Sequence, residues 1–322
     1  MSVRSALLDA AAAHPFAGKR VLLTGASGFL GGQVARQALA AGVQLHSLGR
    51  TAGPGGTPHH QADLTDRTAV ARAVRELTPQ AVIHCAAPGV AYGSAALSEM
   101  LTVAALGTAN LLDACAAQVA PPRVVLVGSG FEYAVAEQPV AEDWPLVPSG
   151  SHYGAAKAAA AVVAGAYADR LPLALLRPFH IYGAGEAARR LGPFIIAQAR
   201  AGVPVELTAG AQLRDFLHVD DCAAMLWAML AALGDAPGLE LYNLGTGQPI
   251  MLRQFISALV GELAEHGVAA DCQIGALPYR SGEPMVSLPD VARWQAKGLR
   301  LPRVTLAAGV ADLVAQELAQ CA

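Results

Sequence analysis

At 322 residues the chain is long enough for one large domain, or one domain with a smaller lobe. It is 54% hydrophobic and 15% charged, which excludes a disordered chain. The net charge is −3 with no long basic run, so no nucleic-acid partner is expected. Much of the apolar content is alanine, and no uncharged apolar run reaches the roughly 18 residues of a membrane span. No membrane partner is expected either. The cysteines (Cys85, Cys115, Cys222, Cys272 and Cys321) are scattered and form no C-x-x-C pair, so neither a disulfide framework nor a metal site is expected. The apolar run at the N-terminus is short and broken by Asp9. Residues 1–18 are therefore read as an extension of a cytoplasmic protein rather than a secretory signal.

The apolar run 20–24 predicts a first strand that enters a glycine turn. A helix over 29–41 follows and is ended by Gly42, and 43–48 predicts a second strand. Residues 51–58 are rich in Gly and Pro and predict a loop. A helix is expected over 65–77, stopping before Pro79, then a buried strand over 81–85. A long alanine-rich helix is expected over 98–118, a strand over 124–127, a helix over 153–169 and a strand over 173–176. Strand–helix alternation of this kind predicts an α/β fold, a Rossmann-type doubly wound parallel sheet. After Tyr182 prolines break the pattern into short pieces, which points to a smaller mixed C-terminal lobe. The expected division is 19–182 with 213–246 for a dinucleotide, and 183–212 with 247–322 for the substrate.

The turn Thr24-Gly25-Ala26-Ser27-Gly28-Phe29-Leu30-Gly31 joins the first strand to the first helix. Its glycines allow a tight turn and let the backbone approach a pyrophosphate, and the helix N-terminus adds free N–H groups. With its TGASGFLG spacing the chain resembles the extended short-chain dehydrogenase/reductase family, over about residues 19–285. The resemblance implies a nicotinamide dinucleotide held by Gly25, Ser27, Gly28, Phe29, Leu30 and Gly31. It implies further cofactor contacts from Asp63 and Leu64 beside the adenine, and from Cys85, Ala86 and Ala87 after the fourth strand. At the end of the second strand, Ser47-Leu48-Gly49-Arg50 has an arginine and lacks the acid of NAD-selective members. A guanidinium suits a 2′-phosphate, so NADPH is the expected cofactor and NADH the second candidate. The other reading of Arg50 is a loop cap or a stacking partner of the adenine.

Tyr153 and Lys157 are one helical turn apart, so they share a face. A neighbouring ammonium is expected to lower the phenol pKa and fit it for proton transfer. Ser129 lies upstream in Val127-Gly128-Ser129-Gly130-Phe131-Glu132-Tyr133, which resembles the family's serine loop. The resemblance implies a catalytic triad of Ser129, Tyr153 and Lys157. Ser129 would hydrogen-bond the substrate oxygen, and Lys157 would also hold the nicotinamide ribose. Sugar-nucleotide 4,6-dehydratases carry an acidic pair where this chain has Gly130 and Phe131. Bifunctional 3,5-epimerase/reductases carry a cysteine where it has Phe131. Glu132, one residue off the acidic position, is read as a loop residue or a substrate contact.

The segment 177–183 resembles the family's stretch beside the nicotinamide, with Pro178 and His180 as cofactor contacts and His180 also near substrate. His180 is equally readable as a structural imidazole. Segment 214–220 resembles that of sugar-nucleotide enzymes, which implies a diphosphate contact for Arg214 and a partner for it in Arg280. Both are also readable as salt-bridge residues. Phe194 is a candidate wall for the nucleotide base, or a core residue. Together the motifs look most like bacterial 4-ketoreductases of 6-deoxy-sugar nucleotides, and the family implies a homodimer. A 4-epimerase that retains NAD and a non-catalytic dinucleotide-binding protein are the competing readings.

Overall fold

The computed structural model describes residues 14–87, 96–146 and 151–319. Its centre is a seven-stranded parallel sheet. The strands are β1 (Arg20–Thr24), β2 (Gln44–Gly49), β3 (His59–Gln61), β4 (Ala81–His84), β5 (Arg123–Val127), β6 (Pro172–Pro178) and β7 (Gly238–Leu244). Their order is β7-β6-β5-β4-β1-β2-β3. The direction of winding reverses between β1 and β4, which makes that crevice the topological switch point.

Helices cover both faces, and the strands alternate between two cores because successive side chains point to opposite sides. Val21 and Leu23 join Val34, Ala38 and Leu226 on one face, from α1 (Phe29–Ala40) and the later helix Val219–Ala232. Leu22 and Val82 join Val74, Leu111 and Ala164 on the other. These come from α2 (Arg67–Leu77), α3 and α4 (His152–Gly165). Helix α3 runs without interruption through Leu97–Leu101, a π-helical turn Thr102–Leu106, and Gly107–Ala116.

The second half carries short strands with their own core. Tyr182, Ile195, Phe255, Leu259 and Leu313 pack together from helices Leu191–Ala201, Leu252–Glu265 and Leu306–Ala319. His180–Tyr182 pairs in parallel with Phe216–His218, and Leu213–Arg214 lies between antiparallel Ile250–Met251 and parallel Val286–Ser287. The expected smaller mixed lobe is therefore present. Asp215 fastens it to the end of β7, accepting hydrogen bonds from the N–H of Thr246 and of Gly247 at 2.8 and 2.7 Å.

Three local features depart from the sequence pattern. Strand β3 is polar and three residues long, and it exists through its register with Ser47–Gly49 rather than through any apolar period. The long helix contains the π turn. The helix expected over 153–169 ends at Gly165 and continues as tight turns. At the start of the described chain, Phe16 is buried beside Trp227 and Ala17 bridges to Val43. Residues 1–13 of the expected extension lie outside the described residues, as does Cys321.

Candidate active site

The glycine turn is shaped by backbone contact. Gly25 has φ +74°, and a Cβ there would lie 2.7 Å from the Ala86 nitrogen at the end of β4. A Cβ on Gly31 would overlap the Gly25 carbonyl oxygen. Gly28 caps α1 without any side-chain hydrogen bond, so the first N–H groups of the helix remain for a ligand. This cradle, which side chains would fill, fits a pyrophosphate. Ser27 is exposed there, Phe29 is half-buried, and Leu30 leans on the core.

Arg50 is exposed just beyond β2. It belongs to the surroundings of Asp63, whose carboxyl is held low mainly by hydrogen bonds from Thr65 and in smaller part by Arg50. Leu64 is buried, and its carbonyl accepts from Asn110 Nδ2 at 2.8 Å. Cys85, Ala86 and Ala87 are half-buried after β4, and burial pushes the Cys85 thiol up to about 12. That thiol is not a nucleophile at neutral pH.

Ser129 follows β5 and opens a short 3-10 turn, Gly130–Glu132. Its hydroxyl oxygen accepts from the Phe131 N–H at 3.1 Å, and its own N–H donates to Glu132 Oε1 at 2.7 Å. This is a capping box, and it fixes the serine. Glu132 Oε2 accepts from Arg177 Nε at 2.7 Å, with both side chains almost wholly buried. Both carboxylate oxygens are thus engaged inside the protein, and the reading of Glu132 as a substrate contact is corrected to that of a loop anchor. Burial pushes its carboxyl up while Arg177 opposes the shift. Arg177 Nη1 also donates to the Tyr133 hydroxyl at 2.8 Å, which in turn donates to Asn243 Oδ1 on β7 at 2.7 Å.

Helix α4 begins at the Ser151 cap and presents Tyr153 and Lys157 on one face. The phenol lies by the Ser129 hydroxyl, and its ring meets Phe131 edge-on at 6.3 Å. Burial pushes the Tyr153 pKa up to about 12, with Ser129 pulling the other way. This reverses the expected direction. The Lys157 ammonium donates to the Val127 carbonyl at 2.6 Å. Burial lowers the Lys157 pKa in turn, opposed by Glu132.

Across the cleft, Pro178 ends β6 and His180 begins the next strand. His180 Nε2 is 3.0 Å from Ser287 Oγ, and its ring is 6.2 Å from that of Phe131. Burial, then Arg214 and Arg190, lower its pKa to about 3, so it is a neutral imidazole. Arg214 is buried, with Nη1 on the Leu213 carbonyl at 2.9 Å and Nη2 on the Pro284 carbonyl at 2.7 Å and Glu283 at 3.4 Å. With Nη1 also 3.5 Å from the Met285 carbonyl, these contacts clamp segment 283–285, which differs from the diphosphate contact expected of it. Arg280, three residues before that segment, is exposed, and Phe194 is 40% exposed on its helix.

Two polar residues near the site carry no motif of their own. Asn110 fixes the Leu64 carbonyl from α3, and Arg190 acts electrostatically on both Tyr153 and His180 while paired to Glu186 at 2.9 Å. The Arg190–Glu186 i,i+4 spacing is legible in the sequence, but its place at the cleft is not.

A glycine cradle at the switch point, with serine, tyrosine and lysine beside it, is an arrangement suited to a dinucleotide and to carbonyl or alcohol chemistry. Residues 21–245 match the NAD dependent epimerase/dehydratase family, and the chain belongs to it. Relatives include sugar-nucleotide epimerases, dehydratases and 4-ketoreductases. The chain is 29% identical to the dTDP-6-deoxy-L-talose 4-dehydrogenase (NAD(P)(+)) of Kitasatospora kifunensis, over 76% of this chain and 79% of that protein. It is 28% identical to the CDP-abequose synthase of Salmonella typhimurium over less than half of each chain, 43% of this one and 46% of the other. The UDP-glucose 4-epimerase of Thermus thermophilus, solved in complex with NAD, superposes with a TM-score of 0.78 at 28% identity, over 93% and 99% of the two chains. Among the described residues no helix is long and apolar enough to cross a membrane, and no cluster of metal-ligating side chains occurs.

The Glu132–Arg177 pair gives a stability test. Arg177→Leu leaves a buried carboxylate without its partner and should destabilise by about 3–5 kcal/mol in urea unfolding. The double variant with Glu132→Leu should recover most of that loss. A single-variant cost no larger than that of a surface substitution would show that the pair does not anchor the loop.

Proposed function

We propose that the chain is a cytoplasmic enzyme that reduces the C4 keto group of a nucleotide-diphosphate 4-keto-6-deoxyhexose with NADPH. The observation that carries this reading is Phe131. Its apolar ring meets Tyr153 at 6.3 Å, at the position where dehydratases of the resembled family have an acid and 3,5-epimerase/reductases a thiol. The site keeps the groups for carbonyl chemistry and lacks those for dehydration.

In this reading residues 19–182 with 213–246 hold the dinucleotide, and 183–212 with 247–322 hold the sugar nucleotide. Bound nicotinamide supplies the hydride. Tyr153, a neutral phenol with its pKa near 12, protonates the carbonyl oxygen. The Ser129 hydroxyl accepts from Phe131 and lies by the Tyr153 phenol, and in this reading it donates its hydrogen to the substrate oxygen. Lys157 supports the phenol and the cofactor ribose. Arg280, exposed just before the segment that Arg214 clamps, meets the diphosphate. Neutral His180 lines the sugar site beside Phe131. Arg50 receives the 2′-phosphate.

Homodimerisation through α3 and α4 belongs to the same reading. Leu106 is 48% exposed on α3 and Val162 is 70% exposed on α4, beside a surface of alanines. Apolar side chains of this size on two neighbouring helices suit a twofold contact.

Four outcomes are expected. Tyr153→Phe should keep its fold and cofactor affinity and lose turnover by roughly 10²–10⁴-fold; turnover within threefold of the parent removes Tyr153 from the mechanism. Arg50→Ala should weaken NADPH by about 1.5–3 kcal/mol and leave NADH nearly unchanged, measured by cofactor titration. Equal weakening of both would contradict the 2′-phosphate contact. Light scattering at micromolar concentration should give twice the chain mass, and a monomer would refute the helix-to-helix contact. Finally, with an NDP-4-keto-6-deoxyhexose the protein should consume one NADPH per sugar and release a single C4 configuration. If it instead retains NAD through dialysis and equilibrates two 4-epimers without net cofactor change, the 4-epimerase reading replaces this one.

A further inference from the structure

His84 ends β4 and is 4% exposed. Its Nδ1 lies 2.6 Å from Thr24 Oγ1, and its Nε2 lies 3.0 Å from Thr108 Oγ1. The directions of these bonds follow from their neighbours. The Thr108 hydroxyl donates its hydrogen to the Ala104 carbonyl at 2.5 Å, so Thr108 Oγ1 accepts from His84 and the ring hydrogen sits on Nε2. Nδ1 is then an acceptor, and the Thr24 hydroxyl donates to it. Thr24 Oγ1 in turn accepts from the Ala86 N–H at 3.2 Å.

The result is one chain with one direction: Ala86 N–H to Thr24, Thr24 to His84, His84 to Thr108, and Thr108 to Ala104. Both ring nitrogens are engaged, and the Nδ1 lone pair that a second proton would need accepts the Thr24 hydroxyl hydrogen. Burial, with the Lys157 ammonium adding to it, accordingly lowers the His84 pKa to about 3. Each end of the chain lies at a feature of the site. Ala104 is in the π turn of α3. The Ala86 nitrogen is the atom that a Cβ on Gly25 would meet at 2.7 Å. Beside the chain is a cavity of about 10 Å³, lined by His84, Thr108, Val127 and Lys157 among others, with room for about one water.

We propose that His84 is a positioning residue for the dinucleotide: through Thr24 it holds the Ala86 amide against the glycine turn and so sets the width of the cradle. This rests on the reading of that turn as the dinucleotide site. The role differs from simple core packing because it predicts an effect on nucleotide affinity that follows the Thr24 bond and not the stability of the fold.

The test titrates purified protein with NADPH and NADH and records thermal unfolding alongside. His84→Leu removes both ring bonds and should raise the Kd for both nucleotides roughly tenfold, the worth of about one hydrogen bond. In turnover, KM for the nucleotide should rise more than kcat falls. His84→Asn places Oδ1 where Nδ1 stood, keeps the Thr24 bond, and should bind within about threefold of the parent. If the leucine variant does not fold, Thr24→Val breaks the same link without a change of volume and should show the same rise, with Thr24→Ser restoring affinity. Equal affinity of the leucine and asparagine variants overturns the proposal, as does a lowered Tm with unchanged Kd. A parent protein that binds neither nucleotide overturns both this inference and the functional reading. Parent binding with unaffected variants overturns this inference alone.

Discussion

A parallel sheet has to bury both of its faces, and that constraint organises the rest of the molecule. Each strand must return through a crossover, so the C-terminal ends of all seven strands gather on one edge. Gly25, Arg50, Cys85, Ser129 and His180 each follow such an end closely. The winding reverses between β1 and β4, which opens a crevice on that edge at the place where Gly25 and Ala86 come into backbone contact. The site is a consequence of strand direction before it is a consequence of any side chain.

Buried polar groups then hold that edge in one shape. Arg177 on β6 reaches Glu132 and Tyr133 in the serine loop, and Tyr133 reaches Asn243 on β7. Asn243 N–H donates to buried Glu142 at 2.8 Å. A network of this kind is costly when incomplete and specific when complete, because each member has its partner only in one arrangement. Ser129 takes its position from this network, through the bond between its N–H and Glu132. On the other side of the crevice, Thr24, His84 and Thr108 form a second such chain at the end of β4.

The electrostatics of the cleft follow from burial more than from pairing. Tyr153, Lys157 and His180 all shift toward their neutral forms, and desolvation is the largest cause in each. A phenol held neutral keeps the proton that a donor role in the proposed reduction needs.

What the sequence determined by itself is local. The glycine turn, the shared face of Tyr153 and Lys157, and the strand–helix alternation all depend on residues within about a turn or a strand of each other. The tertiary structure decided the rest. Glu132 looked like a residue one place off an acidic motif, and only its meeting with Arg177, 45 positions later, commits it to the loop. Arg214 looked like a ligand-facing cation until segment 283–285 folded over it. The phenol of Tyr153 was expected to be lowered by Lys157, but burial raises it, and the lysine turns to the Val127 carbonyl. Strand β3 has no apolar period and forms because β2 offers it an edge. Local backbone preference is written in neighbouring residues; desolvation and the pairing of distant charges exist only once the chain has closed around them.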